Sequence, residues 1–257
     1  MLLQVASNEA RDSNTPDCTP SGNQERMNSI SLCVSCPHRD SGFCGTLLGS
    51  EDARRSQRFQ ILRAGAQIAV RNQAASDVLV LCTGWAFRYV QLSDGRRQIL
   101  RFLLPGDVLS PATIFEKNYP SWVKSLTDVM VSGFSRSEVR ERCAIGAGAP
   151  SAVASTSIAE MRDVSELATV LGQCSAEERI AYLLLRLMSG IAARNVIREH
   201  RYPFPLRQQH IADAVGLTPV HVSRVFGQFR ERGVLTISEG VLTVFDVPEL
   251  ERLGSLR

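Results

Sequence analysis

No stretch of this sequence approaches the roughly 18 to 20 consecutive apolar residues that a membrane-crossing helix needs. The opening residues MLLQVASNEARDSNTPD also lack the basic start and apolar core of a secretion signal. A membrane partner is therefore not expected, and the chain is read as cytoplasmic. Lysine is nearly absent, with Lys117 and Lys124 the only two, so almost all positive charge is carried by arginine. There is no Gly-rich phosphate loop, no Ser/His/Asp nucleophile arrangement and no His-based metal motif. Enzyme is accordingly the weakest functional class for this chain.

What is present is an ordinary globular composition, 44% hydrophobic and 21% charged over 257 residues, enough for one large or two modest domains. The net charge of +3 says little by itself. Its distribution says more. From Arg194 to Arg232 seven arginines face only Glu199, Asp213 and Glu231, a local excess that suggests nucleic acid as a partner. Seven cysteines without a secretion signal argue against a disulfide framework and for reduced thiols, metal ligation or redox sensing. Cys33, Cys36 and Cys44 crowd together, whereas Cys18, Cys82, Cys143 and Cys174 are scattered.

Residues 1–28 are polar with almost no apolar periodicity and read as a disordered leader. Residues 29–50 hold the clustered cysteines among Pro, Gly, Ser and Asp, a loop around whatever the thiols hold. Within residues 51–149 short β-rich runs alternate with turn signals, DVLVLCTG, AFRYVQLSDGRRQILRFLLPGD and SWVKSLTDVMVSGF, which predicts a compact antiparallel roll. Asp94-Gly95 is the clearest hairpin turn and is expected to be a tight type I′ turn.

The texture changes near Pro150. Residues 150–174 place Ala154, Ile158, Met161, Val164 and Leu171 at helical spacing on one apolar stripe. A second helix opens at Ser175-Ala176-Glu177-Glu178, a capping-box pattern. Two readings stay open from the pattern: a packed helical pair, or a long dimerisation helix followed by the next domain, 175–257.

In that last segment LRQQHIADAVG gives a short helix ending at Gly216. Thr218 then caps a second helix with Pro219 at its first position and a stop at Gly233. Two helices joined by a tight Gly turn form a helix-turn-helix, and VLTISEGVLTVF behind them reads as a two-stranded wing. In such a motif the second helix enters the major groove by its first turns. The candidate DNA contacts are thus Arg207, Gln208, Thr218, Pro219, Val220, His221, Ser223 and Arg224, with Val222, Val225 and Phe229 on the buried stripe.

Taken in order, roll, long helix and winged reader resemble the Crp/Fnr regulators from about Ser31 to about Val247. The resemblance is carried by Gly84, Asp94-Gly95 and Pro105-Gly106-Asp107 in the roll, by Ala176-Glu177-Glu178-Arg179, and by Ile211-Ala212, Gly216-Leu217-Thr218 and Ser223-Arg224 in the reader. It implies an α+β chain: a jelly roll of the cyclic-nucleotide-binding type, a long dimerisation helix and a C-terminal winged helix-turn-helix. It further implies a homodimer built on Ile158, Met161, Val164 and Leu171. Two readers would then bind a palindromic operator in double-stranded DNA, with RNA polymerase as a further partner.

Within that family the C-x2-C-x7-C group at Cys33, Cys36 and Cys44 resembles the N-terminal ligands of the oxygen-sensing Fnr branch, which hold a [4Fe–4S] cluster with a fourth cysteine from the roll. Here Ser132 and Gly133 stand where the fourth cysteine is usual. Cluster, zinc, direct thiol oxidation and a motif without metal all stay open. The Crp branch clamps a cyclic nucleotide phosphate with an Arg-Ser pair, but the matching stretch is Tyr119-Pro120 before Ser121, so no cyclic nucleotide is expected. Fnr-type readers commonly carry a Glu where this chain has Val220, which can touch only a thymine methyl.

Overall fold

The computed structural model describes residues 43–44, 57–145, 148–194 and 199–256. The leader 1–28, Cys33, Cys36 and most of the cysteine loop lie outside the described residues.

Among the described residues seven strands build the roll: β1 (Arg58–Leu62), β2 (Gln67–Ala69), β3 (Asp77–Thr83), β4 (Ala86–Gln91), β5 (Arg97–Leu103), β6 (Trp122–Ser125) and β7 (Val129–Ser135). They form two antiparallel sheets, ordered β1-β7-β3 and β2-β6-β4-β5. The period of two along a strand divides each run between two faces. In β3, Leu79 and Leu81 point into the core between the sheets with Val123, Val129 and Val131. Val78 and Val80 point the other way, into a cluster with Val108, Ile114, Phe134, Val139 and Val153.

The turn after β4 corrects one expectation. Only Gly95 has positive φ, at +87°, and Asp94 does not, so no type I′ turn forms. The amide of Gly95 donates to Leu92 O at 3.0 Å, the amide of Leu92 to Arg96 O at 2.8 Å, and that of Arg96 to Asp94 Oδ1 at 3.0 Å. This is a three-residue loop in which glycine supplies the left-handed residue and Asp94 contributes through its side chain.

Helix α1 (Arg136–Ile145) leaves the roll directly after β7, and α2 (Gly148–Gln173) follows as the long helix. α3 (Ala176–Ala192) starts on the expected capping box: Ser175 Oγ accepts from the Glu178 amide, and Glu178 Oε2 accepts from the Ser175 amide at 2.7 Å. The C-terminal unit then runs β8 (Arg201–Pro203), α4 (Gln208–Val215), α5 (Pro219–Glu231), β9 (Leu235–Ser238), β10 (Val241–Val244) and α6 (Val247–Gly254). The wing has three strands where two were expected, because β8 pairs with the other edge of β10, Tyr202 opposite Leu242. Pro203 is tolerated there because β8 is an edge strand.

One apolar cluster joins roll and reader. The outer face of β4 and β5, with Phe87, Tyr89, Ile99 and Phe102, packs with Ile180 and Leu184 of α3 and with Ile211, Val222 and Phe229 of the reader. No helix among the described residues is long and apolar enough to cross a membrane.

Candidate nucleic-acid interface

The helix-turn-helix is built by local rules that the residues satisfy one by one. α4 stops at Gly216, whose φ of +66° is the left-handed C-cap that a β-carbon would strain. Thr218 Oγ1 then accepts from the His221 amide at 3.2 Å, and Pro219 takes the first helical position of α5, where no N–H is needed. Val222, Val225 and Phe229 are buried and anchor α5 in the core. Val220, His221, Ser223 and Arg224 lie on its exposed face, with Val220 72% accessible.

Five of the eight sequence-derived candidates line two separate surfaces. Gln208 and Ser223 line one concave surface together with Gly227, Arg230 and Thr236, so the first reader helix, the second and the wing converge there. Arg207 is exposed at the N-terminus of α4, and its amide donates to His210 Nδ1 at 3.1 Å. Thr218, Pro219 and His221 instead line an open cleft facing the β4–β5 hairpin and Lys124 of the roll. Arg230 and Thr236 were not among the sequence candidates. Arg230 was findable, since it lies seven residues after Ser223 and hence on the same helical face; Thr236 depends on the wing's register and had no local signal.

The reader is not an independent bead. Arg97 of β5 pairs with Asp213 of α4, and Gln98 Nε2 donates to Ala214 O at 2.8 Å. The His210 ring is tilted against Phe87 at 5.7 Å between centroids. Burial, with Arg97 and Arg207 nearby, holds His210 below its ordinary range.

On α2 the stripe expected to dimerise divides in the same way. Ile158, Met161 and Val164 are 53%, 65% and 48% accessible. Leu171 is half-buried, its Cδ2 lying 3.4 Å from where a β-carbon on Gly216 would stand. The opposite face of α2 turns to the roll and is charged: Glu160 pairs with the buried Arg88 of β4, and Asp163 with Arg101 of β5 at 2.9 Å. Arg88 and Arg101 are direct cross-strand partners, so two neighbouring guanidiniums meet two acids spaced one helical turn apart.

Cys44, the one clustered cysteine among the described residues, is half-buried beside Phe43 on the Val78/Val80/Phe134 cluster, and Cys143 of α1 packs on the same cluster. Burial pushes the Cys143 thiol up, away from thiolate character. The position at which the Fnr branch places its fourth thiolate is otherwise engaged: Ser132 is fully buried with its hydroxyl accepting from Gln57 Nε2, and Gly133 has no side chain to offer. A cluster held by three loop cysteines and a roll cysteine at that place does not fit these residues. Among the described residues no group of three or more His, Cys, Asp or Glu is arranged to hold a metal ion.

Two family models match the chain, a cyclic nucleotide-binding domain over residues 59–145 and a Crp-like helix-turn-helix domain over residues 178–253. Nitrogen fixation regulation protein FixK of Bradyrhizobium diazoefficiens is 27% identical over 238 residues, covering 87% of this chain and 94% of that protein. Transcriptional activatory protein AadR of Rhodopseudomonas palustris is 30% identical over 224 residues, covering 86% of this chain and 92% of that protein. The solved structure of FixK2 from Bradyrhizobium japonicum superposes with a TM-score of 0.71 at 25% identity, over 78% of this chain and 98% of that one.

Proposed function

The chain belongs to the Crp/Fnr family of DNA-binding transcription regulators, which act as dimers and are not enzymes, and from that premise we propose that it binds a two-fold symmetric operator as a homodimer. In this reading Val220, Ser223 and Arg224 reach base edges. Arg207, Gln208 and Arg230 hold phosphates, and Thr218 and Pro219 present the first turn of α5 with His221 beside them. The observation that carries it is the sorted α5 helix, with an apolar stripe locked in the core and the opposite face open beside Arg224 and Arg230. The exposed Ile158, Met161 and Val164 supply the dimer contact along α2, and RNA polymerase is the partner at the promoter.

The test is binding to duplexes selected from a random pool, measured across a salt series. Phosphate contacts release counterions, so log K should fall linearly with log salt. A C-terminal unit that contacts only protein would give no selected sequence and no salt slope. Met161→Glu should weaken DNA binding through loss of the dimer, seen as a half-mass species in sedimentation.

For the signal, we propose redox state read through Cys33, Cys36 and Cys44. Support comes from Cys44, which is seated on the apolar cluster that also holds Val139 of α1 and Val153 of α2, so a change at that thiol bears on the start of the long helix. Two of the three thiols, oxidised by hydrogen peroxide, give one disulfide and two waters. Serine at either of the two paired positions should make operator binding indifferent to peroxide, whereas serine at the third should leave it sensitive; unchanged sensitivity in all three variants would remove the cysteine group from the role.

A further inference from the structure

Glycine inside a helix weakens it, because the unfolded chain gains freedom and no side chain shields the backbone. Elsewhere in this chain such glycines have a reason. At Gly190 of α3 a β-carbon would stand 3.0 Å from Leu104 Cδ1, tighter than carbons normally pack. Gly172 is the last residue but one of α2, where the helix is already ending. Gly227 has neither reason. It is the ninth residue of the thirteen in α5, its φ is not positive, and a β-carbon there would meet no atom within 4 Å outside its own stretch of helix. Neither packing nor backbone conformation calls for glycine at this position.

The space that a side chain at this position would enter is the concave surface between α4, α5 and the wing, which Gly227 lines with Gln208, Arg230 and Thr236. Among the described residues Arg230 is the only charged one lining it, and no carboxylate balances it there. On the helix, Ser223 and Arg224 stand one turn before Gly227 and Arg230 one turn after, so the gap falls within the exposed face of α5. Glu231, also one turn after, does not line the surface. A bare stretch of helix backbone with an arginine on either side lets a phosphodiester strand approach more closely than any side chain would permit. A protein partner would instead gain contact area from a side chain at the same place.

Resting on the operator reading above, we propose that Gly227 is the point at which a sugar-phosphate strand of the DNA comes closest to α5, and that its missing side chain sets how deeply the helix enters the groove. Ser223 and Arg224 reach base edges only when the helix sits at that depth. Gly227 is thus a positioning residue: it costs the helix stability and gives the interface its close approach.

The two effects have opposite signs, and the test reads both on the full chain. Gly227→Ala should raise the melting temperature by about 2–4 °C, since alanine is the better helix former and the space is open. The same protein should bind the selected operator about fivefold more weakly, and Gly227→Leu about a hundredfold more weakly, because the added carbons hold the strand off. A neutral methylphosphonate placed at each operator phosphate in turn should reveal one position per half-site that matters to the unaltered chain and no longer matters to Gly227→Leu. A melting temperature lowered by alanine would mean that the fold itself needs the glycine, and overturns the proposal. Unchanged operator affinity in both variants overturns it as well; if transcription by RNA polymerase is lost in those variants, the space belongs to a protein. Failure of the unaltered chain to select any duplex would defeat the operator reading, and this proposal with it.

Discussion

Arg97 on roll strand β5 and Asp213 on the first reader helix form an ion pair across the boundary between the two halves of the chain. The pair is shielded, with side-chain accessibilities of 25% and 11%, and the Arg97 guanidinium also lies 5.2 Å over the Phe87 ring. Asp213 is held from its other side by Gln209 Nε2 at 2.6 Å. The orientation of the reader is therefore fixed by a charged contact laid over an apolar one.

Replacing Arg97 by Ala removes the ion pair and the ring contact while leaving Asp213 partly buried. The expected cost is about 1–3 kcal/mol, between the worth of an exposed pair and that of a buried one. Urea unfolding should show it. Amide exchange should quicken in α4 more than in β3 if the loss is local to the boundary.

The buried Arg88 sets up a sharper contrast. Its side chain is 5% accessible and its partner is Glu160 on α2. Glu160→Leu strands a guanidinium in the roll and should destabilise by about 3–5 kcal/mol, whereas the double change Arg88→Met, Glu160→Leu should recover most of that loss. Denaturant midpoints of the three proteins decide it. If the double variant is no better than the single one, Arg88 is needed for more than its partner.

The parts legible in the sequence are those written in local chemistry. Ser175 with Glu178, Gly216, Thr218 and Pro219 each state a helix end by residue type alone, and each is found in that role. α1 and α6 are not legible in the same way. α1 is only Arg136–Ile145 with one fully buried residue, Val139, so it has almost no apolar stripe to read. α6 is eight residues long and owes its position to Gly254, where a β-carbon would come within 2.6 Å of the Ala181 backbone. Pairings between distant segments, such as Arg97 with Asp213 or Arg88 with Glu160, leave no periodic trace. The same is true of β8, whose Tyr202-Pro203 reads as a break until β10 is beside it.

His210 gives the boundary a pH dependence. Its Nδ1 accepts from the Arg207 amide, so the ring must be neutral to keep that bond, and burial followed by Arg97 and Arg207 lowers its pKa, with Asp213 opposing and Lys124 adding to the effect. The unfolded chain protonates at the ordinary value near 6.5. Above about that pH the neutral ring contributes its full stability; as the pH falls through that value and on toward the lowered folded one, the unfolded state takes up the proton first and the contribution is lost. Unfolding free energies of the unaltered chain and of His210→Asn, compared at about pH 7.5 and 5.5, should converge at the lower pH. A constant difference would mean that His210 does not titrate in this way.

Arg224 and Val220 make separable predictions about DNA because they do different chemistry from the same exposed face of α5. A guanidinium donates to O6 and N7 of a guanine together, so Arg224→Ala should cost about 1–3 kcal/mol on the selected operator and relax the preference at one base position. If Arg224 instead meets only a phosphate, the loss should be uniform over all duplexes, with the salt slope smaller by about one. Val220 has no donor or acceptor and can discriminate only through a thymine methyl. Val220→Glu introduces an acceptor suited to the cytosine amino group, so half-sites recovered from a random pool should shift at one position toward C, with the rest of the site unchanged. The two substitutions should act additively if the side chains read separate base pairs. A Val220→Glu protein that selects the same half-site as the unaltered chain would show that the first turn of α5 does not reach the bases, and would move the reading to the surface formed by Gln208, Ser223 and Arg230.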